Sequence, residues 1–96
     1  MTTSEPIDIT LRFRLSDRLL VKENGEETLM FDPIALAVYQ LNESAAAVAL
    51  MCDGETSCEQ MVASLVERCG LELGNAARIV YEGLRMLRDK ELLDSP

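Results

Sequence analysis

LNESAAAVALMCDG, residues 41–54, sets the order of elements in this chain, together with TSCEQMVASLVERCG, residues 56–70, which follows Glu55. Asn42 is suited to cap a helix, because its side-chain oxygen can accept from a backbone N–H of the first turn. Ala45, Ala46, Ala47, Val48, Ala49 and Leu50 then give a strong, largely apolar helix. Asp53-Gly54 supplies a turn, since glycine takes positive φ without a steric cost. Thr56-x-x-Glu59 reads as a capping box that opens a second helix.

That second helix is expected from about Ser57 to Arg68. Met61, Val62, Leu65, Val66 and Cys69 recur at helical spacing, and Gly70 stands as a C-terminal glycine. A third helix is expected from about Asn75 to Lys90. One stripe of it, Ala76 or Ala77 with Val80, Leu84 and Leu87, should face the core. A second apolar line, Ile79, Gly83 and Met86, lies beside the first. It reads either as a broader core face or as the wall of a groove. Gly83 costs about 1 kcal/mol in a helix interior relative to Ala, which close approach by another backbone would explain.

N-terminal to residue 41 the pattern changes to strands. Ile9, Leu11, Phe13 and Leu15 alternate with Thr10, Arg12 and Arg14, as in a half-buried strand or arm. Segments 18–23 and 28–31 are short strands around Asn24-Gly25, a strong hairpin signal. Asp32-Pro33 ends the second. A third strand is expected from Ile34 to Leu41, with Ala35, Ala37, Tyr39 and Leu41 on one face and Leu36, Val38 and Gln40 on the other. It is apolar on both faces, so one should pack on the core and the other should meet something else. A single long helix from Ile34 to Met51 is the alternative, and Asn42 argues against it.

The chain has 96 residues, enough for one domain and too few for two cores. Residues 13–94 are expected to be that domain, and residues 1–12 a flexible segment or an extra strand. Trp is absent and aromatics are few, so the core should be Leu, Val, Ala and Met. No run reaches the length of a membrane span, and the polar start MTTSEPIDIT lacks the pattern of a signal peptide. A soluble, cytoplasmic protein without a membrane partner is expected.

The net charge is −8. Phosphate neutralisation needs a basic face, so nonspecific nucleic-acid binding is not expected. No Lys or Arg lies between Lys22 and Arg68, while Glu23, Glu26, Glu27, Asp32, Glu43, Asp53, Glu55, Glu59 and Glu67 do. This reads as a solubilising acidic face, or as a division in which the last helix (Arg78, Arg85, Arg88, Lys90) offers cations to an acidic partner. Cys52, Cys58 and Cys69 form no C-x-x-C and the chain has no His, so neither a zinc site nor a disulfide framework fits. Buried free thiols are expected, with Cys52 and Cys69 near the apolar sides of their helices. No nucleophile sits next to a base and no glycine-rich phosphate loop appears, so an enzyme is not expected.

Short strands followed by three helices form a winged-helix pattern. LNESAAAVALMCDG, the capped helix after it and the closing LRDKELLD, residues 87–94, resemble the PqqD family, RiPP recognition elements that bind precursor peptides. The resemblance runs from about Phe13 to Asp94. It implies an α+β, winged-helix-like domain, with a three-stranded antiparallel sheet followed by three helices. It also implies a peptide chaperone without a cofactor, whose partners are a precursor leader peptide and a peptide-modifying enzyme, a radical SAM enzyme. The leader would add as a strand beside the third strand, at Leu36, Ala37, Val38, Tyr39 and Gln40. The third helix would wall that cleft with Arg78, Ile79, Glu82, Gly83, Arg85 and Met86. Ile79 and Met86 would anchor apolar leader side chains, and Arg78 and Arg85 would meet carboxylates. A winged-helix DNA-binding regulator and a dimerising, non-catalytic subunit are the rival readings. Dimerisation through an exposed edge is compatible with peptide binding.

Overall fold

Alternation in the first half and helical periodicity in the second each build their elements. The computed structural model describes residues 10–25 and 27–94. Residues 1–8, expected to be a tail, and Ile9 lie outside the described residues. The order is β1 (Arg12–Leu15), β2 (Leu20–Asn24), β3 (Glu27–Asp32), β4 (Ala37–Leu41), α1 (Glu43–Leu50), β5 (Asp53–Ser57), α2 (Cys58–Cys69), α3 (Leu73–Asp89) and β6 (Leu93–Asp94). The strands form two antiparallel sheets, β2-β3-β4 and β5-β1-β6. The fold is α+β and winged-helix-like, and the first of these sheets is the expected three-stranded one. The second sheet was not expected. In it β1 is a real strand, and its Phe13 is in the core.

The hairpin forms one residue later than Asn24-Gly25 suggests. Asn24 is still paired, opposite Glu27, and Gly25 at φ 67 begins the reversal. β4 is shorter than expected and starts at Ala37, because Asp32 captures the chain first. Its Oδ1 accepts from the N–H groups of Ile34 (3.0 Å) and Ala35 (3.2 Å), which curls residues 33–36 into a turn. Leu36 sits in that turn at φ 54 and is not a strand residue. Asp32 is itself gripped by Arg18, whose Nε and Nη2 each donate to one carboxylate oxygen at 3.1 Å. Arg18 also donates to Ser16 Oγ (2.8 Å) and the Glu91 carbonyl (2.9 Å), so it ties the sheet of β2, β3 and β4 to the end of α3.

Asn42 caps α1 as expected, with the Ala45 N–H donating to its Oδ1 at 2.7 Å, and the single-helix alternative is excluded. Asp53-Gly54 opens β5 with Gly54 at φ 83. The capping box of α2 is Ser57 and Gln60, one residue beyond Thr56 and Glu59. Thr56 is already held by Asp53, whose carboxylate accepts its N–H (2.9 Å) and hydroxyl (3.1 Å). Gly70 ends α2 at φ 67. α3 ends with Glu91 at φ 60, the Glu91 N–H bonding to Arg88 O and the Leu92 N–H to Leu87 O, both at 2.9 Å. These are the two bonds of a Schellman motif, and they seal Leu92 into the core beside Leu87.

The core stripe of α3 is Ala76, Val80, Gly83, Leu84 and Leu87, against Met30, Val48, Met61 and Leu65. Cys52 and Cys58 are buried, but Cys69 is exposed, contrary to expectation. The line Met61–Leu65–Cys69 runs off the core in the last turn of α2. Gly83 is close to a neighbour, but that neighbour is a side chain. A Cβ placed there would come 3.0 Å from Val48 Cβ, Cγ1 and Cγ2.

Candidate functional site

β4 is an edge strand: β3 covers one side of it and no strand among the described residues covers the other. Along an antiparallel edge, alternate residues direct both N–H and C=O outward. The other face of this opening is α3. Between β4, the first turn of α1 and α3 lies a groove of about 720 Å³.

Eight of the residues expected at the site line it: Val38, Tyr39 and Gln40 from β4, and Arg78, Ile79, Glu82, Gly83 and Met86 from α3. The α3 residues share one face because they are spaced by one, three or four positions. Leu36, Ala37 and Arg85 do not line the groove. Leu36 is displaced by the Asp32 turn, Ala37 is only the first residue of the strand, and Arg85 falls about 100° around the helix from Met86. Leu41, Asn42, Ser44, Ala45 and Lys90 also line it and were missed. Lys90 continues the spacing of Glu82 and Met86 by four, a signal the sequence carries. Ser44 and Ala45 enter only because the α1 cap folds back against α3.

The charges sit at the groove's borders. Lys90 Nζ lies 5.5 Å from the centre of the Tyr39 ring, bridging helix and strand by a cation–π contact. Arg78 has no hydrogen bond or ion pair among the described residues. Ile79 and Met86 are half-buried and form the apolar part of the wall. The thiols take no part in this lining. Burial, with smaller contributions from Cys58 and Asp53, pushes the Cys52 thiol up to about 12, so it stays protonated and unreactive at neutral pH. The arrangement suits an extended chain, offering backbone groups on one side and apolar and cationic side chains on the other.

The family model described as coenzyme PQQ synthesis protein D (PqqD) matches residues 27–93. No protein of curated function matches the chain. Among solved structures, TbiB1 in complex with the TbiA(beta) leader peptide is similar, with a TM-score of 0.75 and 17% identity over 86% of this chain and 96% of that one. Lasso peptide synthetase B1 complexed with the leader peptide is similar too, with a TM-score of 0.72 and 20% identity over 88% of this chain and 99% of that one. At such identities the likeness is one of fold.

Proposed function

The chain belongs to the PqqD family, and we propose that it is a RiPP recognition element. It binds the leader of a ribosomally made precursor peptide by strand addition to β4 and presents the peptide to a modifying enzyme. The observation that carries this reading is the open edge of β4 facing α3 across a groove. Both structural neighbours hold leader peptides, which supports the same use of the shared fold.

In this reading the backbone of β4 supplies affinity, and the α3 wall supplies selectivity. Ile79 and Met86 receive apolar leader side chains. Arg78 and Lys90 meet leader carboxylates. Arg85 stands outside the lining and contributes long-range attraction only. The protein does no chemistry itself. Its partner is a peptide-modifying enzyme, a radical SAM enzyme by family resemblance. A DNA-reading role is disfavoured by α2, which carries Glu59 and Glu67 against a single Arg68. Calorimetric titration with the leader of a short peptide encoded beside this chain tests the proposal. Saturable one-to-one binding, lost when the leader is removed, supports it, and no binding overturns it.

A further inference from the structure

The charges of the groove all come from α3, and they form a row. Arg78, Glu82, Met86 and Lys90 follow one another four positions apart, and all four line the groove. The strand and α1 residues of the lining carry no charge. Two cations against one carboxylate make this lining locally basic, in a chain whose net charge is −8. The charged side chains are exposed and open to a ligand. Among the described residues Arg78 makes no ion pair, and Glu82, one helical turn away, does not take it. Lys90 Nζ stands over the Tyr39 ring, 5.5 Å from its centre, with no ion pair among the described residues.

Residues four apart on a helix form a ridge inclined about 26° to its axis. Each step along that ridge rises about 6 Å and is about 6.7 Å long. In an extended strand every second side chain points to the same face, and two residues cover about 6.7 Å. The α3 row and one face of an extended peptide therefore share a repeat. From Arg78 to Lys90 the row spans about 20 Å, as do six residues of strand. Two carboxylates at an odd spacing would not both face α3, since successive strand side chains alternate.

We propose that the groove selects a leader with carboxylates at two positions six apart, one for Arg78 and one for Lys90. This rests on the groove reading and adds to it the pattern of side chains recognised. Counted from the Arg78 end, the position two along faces Glu82. It carries no acid, because two carboxylates there would repel each other, and a hydrogen-bond donor or a cation suits it. The position four along faces Met86 and is apolar. A leader running the other way along β4 carries the same four residues in reverse order. Charge complementarity names the occupant: the basic row attracts an acidic segment, and its repeat sets where the acids stand.

The test uses the full chain and the leader of a short peptide encoded beside it, titrated by calorimetry, with each leader Asp or Glu changed in turn to Ala and to Lys. We expect two acidic residues, six positions apart, each to weaken binding about two- to fivefold on change to Ala. Change of one to Lys should be rescued by Arg78→Glu alone, and change of the other by Lys90→Glu alone. Arg88→Glu, at an exposed residue outside the lining, alters the net charge equally and should rescue neither. A leader that binds and protects the β4 amides from exchange, but has no such pair, overturns the proposal and leaves the groove reading standing. So does a pair that neither α3 variant rescues, or that Arg88→Glu rescues equally, which reports net charge alone. A leader that does not bind, or that binds without protecting β4, overturns both.

Discussion

Gly83 of α3 lies against Val48 of α1 so closely that an added Cβ would come 3.0 Å from three atoms of the valine side chain. This contact brings α1 and α3 together at the base of the groove, with Ala45 and Gly83 both in its lining. Gly83→Ala should gain about 1 kcal/mol of helix propensity and lose about 1–3 kcal/mol to overpacking. Val48 is β-branched and stiff, so the clash wins. We expect a net loss of roughly 1 kcal/mol, measured by urea unfolding. Gly83→Ala with Val48→Ala should show no such clash in a double-mutant cycle.

Glu91 occupies the left-handed position of the Schellman motif that glycine usually fills. Its carbonyl, which accepts from Arg18, is a backbone group and survives substitution. Glu91→Gly should therefore stabilise the fold by about 0.5–1 kcal/mol, seen as a higher urea midpoint with an unchanged slope.

Arg18 holds the Asp32 carboxyl below the usual aspartate range, helped by the N–H groups of Ala35 and Ile34. Asp53 is lowered as well, by the N–H groups of Glu55 and Thr56. A depressed native pKa contributes stability that is fully present above the unfolded value, about 3.9. It is lost as pH falls through the native value. Melting temperature should fall on acidification below about pH 4. In Asp32→Asn that acid limb should be shallower and the neutral plateau lower. An unchanged limb would count against the Arg18 pairing.

The three cysteines should divide by exposure. Cys69 is exposed, whereas Cys52 and Cys58 are buried and the Cys52 thiol is pushed up to about 12. A thiol reagent at pH 8 should label one site fast in the folded protein, and Cys69→Ser should abolish that phase. Full labelling should require denaturant.

Groove variants should separate apolar from charged contributions. Met86→Glu or Ile79→Glu should weaken leader binding by about tenfold or more with helicity intact. Arg78→Glu should weaken an acidic leader more at low salt than at high salt. Arg85→Glu, outside the lining, should do less than Arg78→Glu. Calorimetry at two salt concentrations checks all four.

Helical elements were legible because each carries its own local chemistry. Asn42, the α2 stripe, Gly70 and the two apolar lines of α3 act within a few residues of themselves. What was missed depends on partners far along the chain. β5 and β6 are short and polar or terminal, and they exist only because β1 pairs with both. The start of β4 and the place of Leu36 were misread because Asp32, set by distant Arg18, takes the backbone N–H groups that a longer strand would have used. In the α3 wall of the groove, Ile79, Gly83 and Met86 followed from helical spacing, and Arg78 and Glu82 from the family resemblance. The groove floor, Ser44 and Ala45, followed from neither, since that depends on how α1 packs on α3.

Strand addition is the central claim, and amide hydrogen exchange of β4 with and without leader tests it most directly. The account predicts that alternate residues within Ala37–Leu41 become protected by at least about tenfold on binding, while β2 amides keep their rates. Binding that leaves the β4 amides unchanged, or protects the β2 edge instead, would contradict it.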